Sequence, residues 1–451
     1  MTSTPDLPQP RRSDFGPGFL WGCATSSYQI EGAVDADGRG ASIWDRFCQR
    51  PGAIRDGSSG AVACDHYHRW EEDLDLMQRL GVNAYRFSIA WPRIQPDGRG
   101  KAEPRGLDFY SRLVDGLLRR GIQPWATLHH WDLPQALQDA GGWPHIGTVR
   151  AFVDYADVVT RHLGDRVKRW ITHNEPWCTA FLGHHEGVHA PGVKDWKSSL
   201  QVLHHLLLSH GLAVPVIRRN SPGAMVGITL SLHPIEPAGD SAADAAAVRR
   251  HDGLRNRMFL DPLFNKGYPA ETMALLGANA PNVLTGDLQA IAAPTDFLGV
   301  NYYFPEVVAD APGHGDIAAR VVEREGVERT AFGWQVKPAG LVTLLRRIHA
   351  DYGPRRIYIT ENGSTFDDVV QPDGSVPDLQ RRSFLARHVE AARQAQAAGV
   401  PLHGYFAWSL LDNFEWAEGY TRRFGITHVD YATQRRTLKA SGQWYAQFLR
   451  A

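Results

Sequence analysis

The chain holds 451 residues with a formal net charge of −1, and 43% of them are hydrophobic and 22% charged. Such a composition builds a large globular core, while the near-neutral balance offers no basic surface to nucleic acid or an anionic membrane. No uninterrupted run of 18 apolar residues occurs, and four cysteines (Cys23, Cys48, Cys64, Cys178) without a Cys-x-x-Cys pair frame no disulfide scaffold, so a reduced, cytoplasmic protein is expected.

Residues 1–16 are polar and proline-rich, without an apolar signal core, and Arg11-Arg12 leads into no apolar stretch. A flexible N-terminal extension is expected there, ahead of one domain over 17–451. Eight short β-like runs follow, at 19–24, 84–89, 124–128, 169–172, 226–230, 297–301, 357–360 and 403–408. Amphipathic stretches lie between them. Over 70–80, Leu74, Met77 and Leu80 share a face; 107–119 carries Tyr110, Leu113, Val114 and Leu117; and 199–217 reads the same way. Alternating strand and helix implies a parallel sheet. An open doubly wound sheet calls for a glycine-rich phosphate turn after its first strand. Here that strand runs into Thr25-Ser26-Ser27-Tyr28, and no G-x-G-x-x-G occurs. The expected fold is therefore α/β, a single (β/α)8 TIM barrel with functional residues at the carboxyl ends of its strands. The chain exceeds a typical barrel of about 250 residues. The surplus falls in the segments 31–63, 175–200, 231–259, 303–332 and 364–379, rich in Gly, Pro, Asp and Ser, which are expected to wall a deep pocket.

Two of the runs lead straight into a glutamate: Thr172-His173-Asn174-Glu175-Pro176 and Ile359-Thr360-Glu361-Asn362-Gly363. Glutamate is depleted in strands and costly to bury, so two carboxylates at matching strand ends read as a facing pair. Glycosidic bond cleavage requires such a pair, and a separation of about 5–5.5 Å makes one acid the nucleophile and retains configuration. Fourteen tryptophans supply apolar faces with a polar edge, which suits sugar ligands. A competing motif, His185-Glu186-Gly187-Val188-His189, fits the zinc-protease pattern H-E-x-x-H. Gly187 and Pro191-Gly192 interrupt the helix such a site needs. Asn362-Gly363-Ser364 matches a glycosylation acceptor, and its place beside Glu361 argues against that use.

Further motifs close the pattern: Tyr28-Gln29-Ile30-Glu31-Gly32, Tyr85-Arg86-Phe87-Ser88, Leu128-His129-His130-Trp131-Asp132-Leu133-Pro134, Val300-Asn301-Tyr302-Tyr303 and Trp408 through Trp416. With these the chain resembles glycoside hydrolase family 1, the β-glucosidase family, from Phe19-Leu20-Trp21-Gly22 to Val429-Asp430-Tyr431. The resemblance implies that Glu175 is the acid/base and Glu361 the nucleophile. It implies that Arg86 and Tyr303 flank the nucleophile, with Asn301 in the same network. Gln29, His130, Asn174, Glu415 and Trp416 would hold the non-reducing sugar, with Trp131 and Phe424 beside them. Trp408 would form the stacking platform and Trp334 the aromatic wall on the leaving-group side. Arg86 is expected to keep Glu361 charged while Glu175 stays protonated near neutrality.

The implied activity is that of a retaining exo-β-glucosidase without metal or cofactor. It would act on cellobiose, short β-glucosides and aryl β-glucosides, with galactoside or fucoside side activity and transglycosylation. Its partners would be small β-glucosides alone, and the oligomeric state is left open. Glu415 would accept hydroxyl hydrogen bonds and repel a sugar 6-phosphate; the family's phospho-glycosidase branch carries Lys and Tyr where this chain has Arg422 and Phe424. A 6-phospho-β-glucosidase, a non-catalytic sugar-binding relative and a zinc protease are the alternatives. His129-His130 stands where many relatives have Tyr-His, and Gln335-Val336-Lys337-Pro338 follows Trp334 where Glu-Ile-Tyr-Pro is commoner. Cys178 flanks the leaving-group side, so the aglycone preference is open.

Overall fold

The computed structural model describes residues 10–451. Eight parallel strands close a barrel: β1 (Leu20–Ala24), β2 (Ala84–Ser88), β3 (Gln123–His129), β4 (Arg169–Asn174), β5 (Met225–Ser231), β6 (Phe297–Asn301), β7 (Ile357–Asn362) and β8 (Leu402–Trp408). Each pairs with its neighbour in sequence, and β1 closes on β8. All eight runs expected from the sequence are these strands. The helices His66–Leu80, Pro104–Arg119 and Trp196–Asn220 contain the three amphipathic stretches.

Alternation along a strand divides the residues between two cores. Tyr85 and Phe87 of β2 point out into the layer packed by helices, while Ala84 points inward. Inside the barrel Trp125 packs edge-on against Phe297, Tyr358 and Phe406, with ring centroids 5.2, 4.6 and 5.3 Å away. These rings plug the lower barrel, so a ligand can enter only from the carboxyl ends of the strands. Helix Trp196–Asn220 is long and apolar enough to cross a membrane by length and composition, yet 78% of its most apolar window is buried within the protein.

Two strands break their register where they reach that end. Between Ile171 and Asn174 the pairing of β4 with β5 shifts, and between Ile359 and Glu361 the pairing of β7 with β6 shifts. Such irregularities re-aim side chains. On β7 consecutive residues turn the same way, Thr360 to Asn301 and Glu361 to Arg86, and Asn362 turns outward to Tyr405. On β4 Thr172 and His173 both reach helix Trp196–Asn220, after which Asn174 turns inward to Arg86.

The long loops carry structure of their own. A three-stranded sheet joins Ile235–Pro237, Glu306–Asp310 and Ala319–Val322, and a hairpin pairs Thr427–Asp430 with Arg435–Leu438. Of the expected N-terminal extension, residues 1–9 lie outside the described residues. Arg12–Phe15 form a 3-10 turn in which Phe15 is buried against Phe19 and Trp21. Packed chain thus begins before residue 17, because an aromatic side chain there joins the core between the barrel and its outer layer.

Candidate active site

A cavity of about 380 Å³ opens at the carboxyl ends of the strands. Glu175, Glu361, Glu415, Asn174, His130, Trp131, Tyr303, Trp334, Trp408, Trp416 and Phe424 all line it. Three of its neighbours hold unusual backbone: Trp131, Glu175 and Trp416 lie at φ +79°, +47° and +48°. A bulky residue in the left-handed region costs of order 1–3 kcal/mol and persists only where its surroundings enforce it. For Glu175 the amide N–H bonds Thr229 O of β5 at 2.9 Å, which turns the chain sharply as β4 ends.

One hydrogen-bonded chain links the two expected acids. Arg86 Nη1 donates to Glu361 Oε1 at 2.5 Å and Tyr303 Oη donates to Glu361 Oε2 at 2.6 Å. Arg86 Nη2 donates to Asn174 Oδ1 at 2.6 Å, and Asn301 Nδ2 donates both to that oxygen and to Glu175 Oε1, at 3.0 and 2.8 Å. Because Asn174 Oδ1 already accepts twice, its Nδ2 is the donor to His130 Nε2 at 3.0 Å. Burial first, and then Arg86, hold the His130 pKa well below the imidazole range. The ring is therefore neutral, and its Nδ1, which has no partner among the described residues, carries the hydrogen.

Burial is the largest influence on the carboxyls of Glu361 and Glu415. It pushes Glu361 up to about 7, with the charge of Glu175 adding, against the pull of Arg86 and Tyr303. The sequence leads one to expect Arg86 to hold Glu361 low; desolvation and a second carboxylate outweigh that single cation. Glu415 is held at about 8 by burial and then by the charges of Glu361, Glu418 and Glu175. It can therefore donate as well as accept a hydrogen bond near neutrality, in place of the permanent carboxylate expected.

Gln29 stands behind the cavity and has no exposed surface. Its amide nitrogen donates to Asn413 Oδ1, Phe414 O and Glu415 Oε2, and its oxygen accepts from Ser26 Oγ. Arg86 and Asn301 are likewise buried beneath the lining. Trp131 donates its indole N–H to Asn174 O and packs on Trp416 at 4.5 Å. Trp334 stacks flat on Phe332 at 4.6 Å and closes the opposite wall with Tyr303 and Phe304.

Residues that sequence reasoning missed complete the rim: Trp177, Ser231, His233, Arg255, Phe304 and Glu306. Ser231 ends β5, Glu306 opens a strand of the three-stranded sheet, Arg255 sits in a short helical segment and the others lie between elements, with no motif to mark them. The His185–His189 segment is no metal motif in space. Its helix ends at Glu186, Gly187 is left-handed, His185 packs on Trp196 and His189 on Trp44 and Trp131. Among the described residues no group of His, Cys, Asp and Glu side chains is placed to hold a metal ion. Asn362 is fully buried and donates to Tyr302 O.

The family model of glycosyl hydrolase family 1 matches residues 11–451. The chain is 47% identical over 439 residues to β-glucosidase A of Thermotoga maritima, covering 97% of this chain and 98% of that protein. It is 43% identical to a bifunctional β-D-glucosidase/β-D-fucosidase of Bifidobacterium breve, over 96% and 98% of the two chains. A solved structure of the Thermotoga maritima β-glucosidase in complex with galacto-hydroximolactam superposes with a TM-score of 0.93 at 46% identity, covering 97% of this chain and 98% of that one.

Proposed function

Because the chain belongs to glycosyl hydrolase family 1, we propose that its buried acid pair works as the double-displacement centre of a retaining β-glucosidase. The observation that carries this reading is the continuous path Glu361–Arg86–Asn174–Asn301–Glu175 at the base of the cavity. In the first step a Glu361 oxygen attacks the anomeric carbon, the glycosidic C–O bond breaks, and Glu175 gives its proton to the departing oxygen. In the second step Glu175 takes a proton from water, which attacks the same carbon and releases Glu361 from its ester. Arg86 and Tyr303 hold both Glu361 oxygens and orient the nucleophile. Esterification removes one negative charge from the cavity, which lets Glu175 release its proton and act as base.

Burial, with the charge of Glu175 adding, lifts the Glu361 carboxyl to about 7. Glu415 and the faces of Trp408 and Trp416, with His130 beside them, supply hydrogen-bonding groups and an apolar platform for one terminal sugar. A 6-phosphate entering beside Glu415 would meet a group already crowded by Glu361, Glu418 and Glu175. Arg86, the cation at the base, is committed to Glu361 and Asn174. This favours an unphosphorylated glucoside such as cellobiose, short β-glucosides or aryl glucosides, within the degradation of cellulose fragments. The fucosidase name of one relative and the galacto-configured ligand of one similar structure support side activity on fucosides and galactosides. Transfer of glucose to alcohols follows from an ester intermediate open to acceptors. Four unpaired thiols support work in a reducing, cytoplasmic compartment.

The test is incubation with 4-nitrophenyl β-glucoside, its galactoside and its 6-phosphoglucoside, with and without EDTA, while NMR follows the first anomer formed. Chelator-insensitive release of β-glucose is expected. Release of α-glucose first would overturn the double displacement, and preference for the phosphorylated substrate would overturn the sugar assignment.

A further inference from the structure

The Glu175 carboxyl is held by two neutral groups, one on each oxygen, which are its hydrogen-bond partners among the described residues. Asn301 Nδ2 donates to Oε1 at 2.8 Å, and Asn301 Oδ1 is occupied by the Thr360 hydroxyl at 2.8 Å. The amide thus cannot turn over, and it can only give Oε1 a hydrogen. That arrangement favours Oε1 as the carbonyl-like oxygen and leaves the exchangeable proton to Oε2. At Oε2 stands the Cys178 thiol, with Sγ 3.1 Å away. The backbone N–H of Cys178 bonds Glu175 O at 2.9 Å, which fixes the thiol against the carboxyl, and both residues line the cavity.

A thiol is a weak donor and a weak acceptor, unlike a hydroxyl, which is stronger in both roles, or a hydrocarbon, which is neither. We infer that Cys178 is a positioning residue for the proton of Glu175: it donates S–H to Oε2 of the carboxylate, accepts O–H from Oε2 of the acid, and so holds one side-chain geometry through both steps. The inference rests on Glu175 being the acid/base. Burial, then the negative charge of Glu175, raises the Cys178 thiol well above its ordinary range, so the sulfur keeps its hydrogen.

The other charged and titratable groups facing this pair are Glu361 of β7, Tyr303 after β6, Glu415 after β8, Arg86 of β2 and Arg255 after β5. Arg86 is committed to Glu361 and Asn174, and Arg255 to Glu306 and Ser231. No cation therefore competes with the thiol at Oε2.

The experiment measures the pH dependence of kcat/KM on cellobiose for Cys178→Ser and Cys178→Val, with Glu175→Gln in parallel. The alkaline limb reports loss of the acid's proton in the free enzyme. Serine, the stronger donor to a carboxylate, is expected to move that limb toward acid by about half a pH unit, and valine, with no donor, to move it toward alkali by a similar amount. Thermal melts establish that each variant is folded, and Cys178→Ala replaces valine if that chain does not fold. Unchanged limbs, or limbs moving the same way in both variants, would overturn the role of the thiol, because a packing effect does not reverse sign with donor strength. A Glu175→Gln variant that keeps the wild-type alkaline limb would instead overturn the acid assignment beneath it.

Discussion

Two clusters of buried charge lie in this protein, and they behave in opposite ways. In the cavity, Glu175, Glu361 and Glu415 face one directly paired guanidinium, that of Arg86. Under the loops after β7 and β8, Asp368, Asp378 and Asp412 meet Arg381, Arg423 and Lys439. Burial works to raise Glu361 and Glu415 in the first and Asp412 in the second. In the second cluster Lys439, Arg423 and Arg381 outweigh it and hold Asp412 below its ordinary range. In the first the cation is outnumbered, and Glu361 and Glu415 sit at about 7 and 8. Balance of charge, more than depth of burial, separates a proton-transfer site from a structural clasp. The clasp has a task beside the site: Arg381 ties Ser364 O and Arg423 O, and Asp412 ties Gly425 N, so it anchors the loops that follow Glu361 and flank Phe424.

The contrast can be broken at either cluster. Glu361→Ala is expected to abolish turnover of every β-glucoside while leaving the melting curve at or above that of the wild type. A parallel loss of fold would make Glu361 structural. Asp412→Asn should do the reverse. Removing one partner of a buried ionic network costs about 3–5 kcal/mol, read as a lower urea midpoint, and wild-type stability would show that the clasp is loosely coupled.

Glu175→Gln should lose roughly 10²–10⁴-fold in kcat/KM on cellobiose, the usual worth of general acid–base catalysis. In the glycosylation step with a nitrophenol leaving group, which needs little protonation, the loss should be smaller. Equal losses for both leaving groups in that step would remove the acid role. The same substitution removes the group whose proton sets the alkaline limb of kcat/KM, so that limb should disappear.

The smallest effect concerns stability. A carboxyl raised above its unfolded value binds its proton more tightly in the folded state. Its stabilising contribution is present at low pH and is lost as pH rises through the folded value, here about 8 for Glu415. Glu415→Gln should therefore lose less Tm than the wild type between pH 6 and 9. An identical decline in both proteins would show that Glu415 carries no buried charge at high pH.

Eight strands, their parallel order and the glutamates at the ends of two of them were legible in the chain's residue pattern. Alternation along a strand and a helix period record local backbone geometry and the side that faces a core, and both are written in consecutive residues. Short motifs likewise brought Arg86, Asn174, Asn301 and Tyr303 to notice. The tertiary structure alone decided what surrounds them. Register shifts aim Thr360 and Glu361 the same way, Gln29 is withdrawn behind Glu415, and Ser231, His233 and Arg255 converge on the rim from the end of β5 and the segment after it without a motif. It also decided the charges: the carboxyl of Glu415 answers to Glu361 and Glu175, residues far apart in the chain. Coulomb interaction and desolvation depend on distance and burial in space, which no stretch of neighbouring residues encodes.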